Sequence, residues 1–329
     1  MTQGTPFKLG RFAKTGAPST AIVLGEEAVP LANAVGAYRD ARGRVPAAHT
    51  LDGLLESWES SFPMLQELVA FIEKEGTARF AAEPLSALRP RPPVARPGKM
   101  FYAAQNFQEH VDEMLRSGMS RTQDASKEFK GDKSTTRPYL FLKAPSCLAG
   151  AQDDIEIPLG MTKIDWEAEI ALAIGKPGRR IKAECALDHV AGFMTTNDVS
   201  CRDLQVRQDR PALRSDWLGG KSHDGFAPMG PFFVPRAFVP DHMNLFIRLS
   251  VNGQMKQNGN TSQFIFTPEE QIEYASNILS LQSADVFVCG TCGGVGQGTH
   301  TFLKAGDVME TEVQGLGRMR NRLVEEKHA

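Results

Sequence analysis

The sequence predicts an α+β protein in which a larger mixed-β region with peripheral helices, residues 99–329, follows a small N-terminal α/β unit, residues 1–88. Three observations carry this. Ile164-Asp-Trp-Glu-Ala-Glu-Ile-Ala-Leu-Ala-Ile-Gly-Lys176 alternates strictly, with Ile164, Trp166, Ala168, Ile170, Leu172 and Ile174 on one apolar face, the period-two signature of a strand. Arg89-Pro-Arg-Pro-Pro-Val-Ala-Arg-Pro-Gly98 is a stiff, proline-rich linker that places a domain boundary at 89–98. Beyond it, short strand-like runs outnumber long helical ones and do not alternate as βαβ units, which argues for mixed sheets.

In chain order, Ala21-Ile-Val-Leu24 reads as a strand, and a helical stretch follows that breaks at Pro63. Past Pro63, Leu65, Leu68, Val69 and Ile72 have helical spacing, with Gly76 as a stop. Met100-Phe-Tyr-Ala-Ala104 is a strand. Asn106 then reads as the N-cap of a helix, with Glu109 completing a cap and His110 and Glu113 three apart on one face. Residues 117–136 are polar and basic and read as a lid over a neighbouring site. A strand ending at Lys143, a turn at 145–150 and a short helix at 183–190 follow. Asp198 closes an apolar strand, with Arg202 and Gln205 at helical spacing after it. Residues 219–231 form a glycine- and proline-punctuated loop that places Lys221 and His223 on irregular backbone. Thr267-Pro-Glu-Glu270 opens a structural helix. Gly290-Thr-Cys-Gly-Gly-Val-Gly-Gln-Gly298 matches neither a P-loop nor G-x-G-x-x-G, and reads as a tight loop that lets backbone approach a ligand. The tail, 307–313 and 319–324, is a hairpin.

Composition excludes several roles. A net charge of −2 with interspersed signs offers neither a nucleic-acid face nor an anionic-lipid surface. No run reaches the ~18 apolar residues of a membrane span, and Met1–Gly10 lacks a signal-peptide core, so a cytoplasmic location is expected. Five scattered cysteines make no disulfide framework, and Cys289-Gly-Thr-Cys292 has no second pair to complete a zinc site.

Two patterns carry chemistry. Glu167 and Glu169 share the polar face of the alternating strand, roughly 7 Å apart. They are either a solvated acidic edge or half of a site for a hard divalent cation, Mg²⁺ or Mn²⁺. His110 and Glu113 are either a surface pair or an imidazole whose basicity a carboxylate raises, as in a prepared general base.

Taken together, Asn106-Phe-Gln-Glu-His-Val-Asp-Glu113, Phe141-Leu-Lys-Ala-Pro-Ser146, Asp165-Trp-Glu-Ala-Glu-Ile170, Asn197-Asp-Val-Ser-Cys-Arg-Asp203, Gly220-Lys-Ser222, Asn258-Gly-Asn-Thr-Ser262, Gly290-Thr291, Gly294-Val-Gly296 and Phe302-Leu-Lys-Ala-Gly-Asp307 resemble the fumarylacetoacetate hydrolase (fumarylacetoacetase) family over roughly residues 99–325. The resemblance implies a mixed β-roll of fumarylacetoacetase type and a homodimer. By position it implies Glu167, Glu169 and Asp198 as ligands of Mg²⁺ or Mn²⁺, with Ca²⁺ a further candidate. It implies His110 and Glu113 as the water-activating dyad, Lys221 as the lysine beside the metal, and Arg202, Gln205 and Thr291 as substrate contacts. Ala103 stands where some members carry a fourth carboxylate, and His223 and Gly225 are unusual beside Lys221. The activity implied is hydrolysis of a C–C bond in a 1,3-diketo acid of acylpyruvate or fumarylpyruvate type, through a metal-stabilised enolate, in aromatic-compound catabolism. The alternatives are an isomerase, decarboxylase or hydratase on a 2-oxo acid, or a non-catalytic metal- or metabolite-binding protein.

Overall fold

The strand Ala168–Ile174 is buried along its whole length, Glu169 included. Its two faces serve two cores: Ala168, Ile170, Leu172 and Ile174 pack in one, Ala171 and Ala173 in the other. Burying a large aliphatic side chain contributes about 1.5–3 kcal/mol, so the apolar period seen in the sequence has ample force to fix this strand. In the computed structural model, residues 4–42, 46, 48–116, 132–207, 209, 210, 213 and 215–327 are described. The lid expected at 117–136 lies for the most part outside them.

Around that strand a 12-stranded mixed sheet forms among the described residues. Val190–Asn197 pairs antiparallel on one side, Ala168 opposite Asn197 and Glu169 opposite Thr196. Val286–Val288 pairs on the other side, followed by Met100–Ala103 in parallel and Leu140–Lys143 at the edge. A 5-stranded sheet, which includes Phe246–Val251 and the tail hairpin Val308–Val313 with Gly317–Glu325, faces the first. Ile247, Leu249, Met309 and Leu323 fill the space between, against Ile170, Leu172 and Phe193.

The N-terminal residues join this architecture directly. Lys8–Ala13 pairs with Ala227–Pro235, Leu9 opposite Phe233, and Leu9, Ile22, Leu65 and Leu68 share one core with Met100, Ala171 and Phe233. Residues 1–88 and 99–329 therefore meet in one sheet. Within the linker, Arg89–Arg91 forms a short strand on Lys8–Ala13, and both arginines pair with Asp153.

Local readings differ at three places. The helix Trp58–Glu75 runs through Pro63 without ending there. Proline removes one helical hydrogen bond, but the buried stripe Leu65, Leu68, Val69 and Ile72 and the tilted ring contact of Trp58 with Phe62 outweigh that loss. Asn106 does not cap the helix Gln108–Arg116. Its amide instead donates to the carbonyls of Phe266 and Cys289 at 2.8 and 2.7 Å and accepts the Phe266 N–H at 2.8 Å, so it joins two distant loops. Lys221 ends a short helix, Trp217–Lys221, whose cap Asp216 accepts the Gly219 N–H at 2.8 Å. No described helix is long and apolar enough to cross a membrane.

Candidate active site

Antiparallel pairing of Ala168–Ile174 with Val190–Asn197 brings the start of one strand beside the end of the other. The Asp198 N–H donates to the Glu167 carbonyl at 2.8 Å, which closes the corner. One carboxylate oxygen from each of Glu167, Glu169 and Asp198 then lies within 4.8 Å of the others, and all three residues are buried.

A chain of alternating charge runs through this cluster. Arg202 donates through Nε to Asp165 Oδ2 at 2.9 Å and through Nη2 to Glu167 Oε1 at 2.5 Å. Lys221 Nζ bridges Glu167 Oε2 at 2.7 Å and Asp198 Oδ2 at 2.5 Å. Lys143 Nζ takes the remaining Asp198 oxygen at 2.7 Å. Every member is buried or nearly so. Such pairs persist in low dielectric only when partnered on both sides.

Glu169 stands apart from the chain. Its Oε2 accepts the Gly290 N–H at 2.5 Å, while Oε1 is buried with no hydrogen-bond partner. Burial, then the charges of Asp198 and Glu167, hold its carboxyl well above the usual range. Burial would also raise Glu167, but Lys221 and then Arg202 outweigh it and keep that group ionised far into acid. Lys221 keeps its charge despite burial because Asp198 and Glu167 face it. For Lys143 burial wins and lowers the ammonium's pKa. Three oxygen-only donors, one with an unpartnered buried oxygen, fit a hard divalent cation.

The cluster opens into a cleft of about 300 Å³ whose walls include His110, Glu167, Arg202, Gln205, Lys221 and Thr291. Tyr139, Phe141 and Trp217 form an aromatic side, the last two stacked at 4.5 Å. His110 is 5% exposed, and its Nδ1 has no hydrogen-bond partner. Glu113 Oε2 lies 3.7 Å from that nitrogen, beyond hydrogen-bond length. The Glu113 carboxylate accepts the Gly294 N–H at 3.1 and 3.2 Å instead.

The glycine-rich loop is thus a holder of carboxylates. Its N–H groups serve Glu169 from Gly290, Glu113 from Gly294, and Asp165 from Gly296 and Gln297 at 2.6 and 3.0 Å. Close approach requires glycine here: a Cβ on Gly298 would overlap the Glu113 carboxyl group.

Comparisons with known proteins give the family and the fold. Residues 99–324 match the family described as Fumarylacetoacetate (FAA) hydrolase C-terminal. The chain belongs to the fumarylacetoacetate hydrolase family. It is 38% identical over 234 residues to the Xenopus laevis oxaloacetate tautomerase fahd2, mitochondrial, covering 70% of this chain and 67% of that one. It is 34% identical over 277 residues to the human oxaloacetate tautomerase FAHD2A, mitochondrial, covering 84% and 80%. The structure of fumarylacetoacetate hydrolase from Exiguobacterium antarcticum superposes with a TM-score of 0.74 at 26% identity, covering 97% of this chain and all of that one. The mixed β-roll expected from the sequence is the fold found, and the protein is an enzyme of the fumarylacetoacetate hydrolase superfamily.

Of the residues singled out from the sequence, His110, Glu167, Arg202, Gln205, Lys221 and Thr291 line the cleft, while Glu169 and Asp198 join it only through the carboxylate cluster and Glu113 is not among its walls. Arg202 lines it while each of its three nitrogens already donates, Nη1 to Gln205 Oε1 at 2.9 Å. Thr291 Oγ1 donates to the Ala168 carbonyl and accepts from Gln257, so it braces the strand. His223 is pinned to the Gly219 carbonyl at 2.7 Å and Gly225 takes a left-handed φ of 82°; neither lines the cleft. Sequence reading passed over Asp165 and Lys143. Asp165 had a signal, since it shares the strand parity of Glu167 and Glu169. Lys143 had none beyond its place in the Phe-Leu-Lys motif, because its partner Asp198 lies 55 residues away.

Proposed function

We propose that this enzyme is a metal-dependent keto–enol tautomerase acting on a 2-oxo dicarboxylate of the oxaloacetate type. The observation that carries the reading is His110: a buried imidazole in the cleft wall whose Nδ1 is bonded to nothing, beside the carboxylate cluster. Tautomerisation breaks a C–H bond next to the 2-oxo group and forms an O–H bond. It needs one group that accepts and returns a proton near neutral pH, and imidazole does both. Hydrolysis asks for more, a water held by a base whose tautomer is fixed by its carboxylate, and Glu113 is turned to Gly294 instead. Relatives named oxaloacetate tautomerases, at 34–38% identity, support the same choice.

Glu167, Glu169 and Asp198 would hold the divalent cation, Mg²⁺ or Mn²⁺, which when bound supplies Lewis-acid polarisation of the 2-oxo group. An ammonium has three donors. Lys221 commits two to Glu167 and Asp198, and the third would stabilise charge developing on the substrate oxygen. Arg202 keeps Glu167 in place, and substrate carboxylates fall to its uncommitted N–H donors, to Gln205 and to the cleft rim.

A second reading, C–C hydrolysis of an acylpyruvate, is favoured by the 3.7 Å between Glu113 and His110, which a small rotation would close into a dyad. Incubation with oxaloacetate and acylpyruvates plus Mg²⁺, with products weighed by mass spectrometry, separates the two. Tautomerisation leaves every mass unchanged; cleavage of an acylpyruvate into two acids would refute the first reading.

A further inference from the structure

We propose that Lys143 and Arg202 fix the carboxylates as one-oxygen ligands, and that this sets which divalent cation the site prefers. The proposal rests on the assignment of Glu167, Glu169 and Asp198 as the cation-holding residues, and is independent of which reaction the cleft performs.

One oxygen of each carboxylate lies within 4.8 Å of one from each of the others, and each carboxylate has one oxygen pinned by a partner outside the cluster. Glu167 gives Oε1 to Arg202 at 2.5 Å, and its Oε2 faces Lys221 at 2.7 Å. Asp198 gives Oδ1 to Lys143 at 2.7 Å, and its Oδ2 faces Lys221 at 2.5 Å. Glu169 gives Oε2 to the Gly290 N–H at 2.5 Å, and its Oε1 has no partner.

The pins are themselves anchored. Lys143, 2% exposed, also donates to the carbonyls of Phe226 at 2.6 Å and Val199 at 3.1 Å. Arg202 is held by Asp165, whose carboxylate also accepts the Gly296 and Gln297 N–H groups. Neither cation can swing away without leaving buried polar groups unpaired, a loss of several hydrogen bonds at once. Lys143 and Asp165 act here through other side chains and are positioning residues.

Lys143 and Arg202 are anchored by partners outside the cluster and hold their oxygens back from a metal. Lys221, among the described residues, hydrogen-bonds the two carboxylates alone and can yield the oxygens it faces to an incoming cation. Three single oxygens suit Mg²⁺ or Mn²⁺, since Mg²⁺ demands near-octahedral geometry at about 2.0–2.1 Å and completes its shell with water. Ca²⁺ sits at about 2.3–2.6 Å with six to eight oxygens and commonly draws two from one carboxylate. The pins therefore favour the smaller ions and disfavour Ca²⁺.

Calorimetric titration of Mg²⁺, Mn²⁺ and Ca²⁺ into the intact protein, Lys143→Met, Lys143→Arg and Asp165→Asn tests this. Methionine, unbranched and one atom shorter than lysine, removes the charge and frees Asp198 Oδ1. Removing a nearby positive charge strengthens all divalent ions alike, so the ratio of affinities is the readout. The wild type should prefer Mg²⁺ and Mn²⁺ to Ca²⁺, and Lys143→Met should shrink that preference by about tenfold. Lys143→Arg, which keeps the pin, should retain the wild-type ratio. Asp165→Asn, which loosens Arg202, should move the ratio the same way as Lys143→Met and carries the comparison if circular dichroism shows Lys143→Met unfolded. A wild type that prefers Ca²⁺, or a ratio unchanged in the folded variants, would overturn the proposal. A wild type that binds none of the three ions would remove the cation assignment itself.

Discussion

Glu169 Oε2 accepts the Gly290 N–H at 2.5 Å, which leaves Oε1 buried and unpartnered on a carboxylate that lies within 4.8 Å of those of Glu167 and Asp198. With its pKa raised by burial and by two neighbouring carboxylates, this group favours its protonated form in the protein stripped of cations. A carboxyl raised on folding contributes stability below the ordinary carboxylate range and loses it as pH rises towards the folded value. A bound divalent cation offsets the loss. The rise in melting temperature on adding Mg²⁺ to chelator-treated protein should therefore be larger at pH 8 than at pH 5, and Glu169→Gln should abolish that pH dependence. Scanning calorimetry at the two pH values checks both.

Lys221 neutralises two carboxylates at once. Removing one partner of a buried ion pair typically costs about 3–5 kcal/mol because a charge is left unpaired. Lys221→Met should therefore be strongly destabilised in chelator and recover a large part of its stability in Mg²⁺, which takes over the same two oxygens. Urea melts with and without metal measure this; equal destabilisation in both conditions would place Lys221 away from the cation site.

His110→Ala should separate binding from chemistry. No carboxylate of the cluster is hydrogen-bonded to the imidazole, so metal affinity should stay within about threefold, less than 1 kcal/mol. Turnover should fall about 10²–10⁴-fold for a lost acid–base group. Titration and kinetics on the same sample decide it, and normal turnover would demote His110 to a core histidine.

Gly294 has a φ of +97°, and a Cβ there would overlap the Lys256 carbonyl oxygen. Gly294→Ala should destabilise the protein by more than about 1 kcal/mol and should lower activity through displacement of Glu113, whose carboxylate that N–H holds. Denaturant melts and kcat report the two effects.

How much of this was legible in the sequence follows from the range of each interaction. Alternation put Glu167 and Glu169 on one side, although the strand itself starts only at Ala168, and left them open between a solvated edge and a cation site. Motif order supplied their role together with Asp198, His110 and Lys221. The helix through Pro63 was misread because a local breaker competes with a buried stripe whose packing partners are distant in sequence. Asn106 looked like a cap because local spacing fits one, while its true partners, Phe266 and Cys289, lie 160 and 183 residues away. The same distance hid the role of Asp165, though not its place beside Glu167 and Glu169, because that role depends on backbone N–H groups 131 and 132 residues on. The glycine loop was read correctly as close-approach backbone, but what approaches it among the described residues is the chain's own carboxylates.

The most direct test of the central claim follows the ketonisation of enol oxaloacetate by the loss of its ultraviolet absorbance, with Mg²⁺ present in every arm except the one with chelator. The wild type should accelerate the reaction well beyond Mg²⁺ in buffer, and Glu169→Gln, His110→Ala and added chelator should each return it to the background rate. An enol that decays at the buffer rate in the presence of folded, metal-loaded wild type would contradict the assignment.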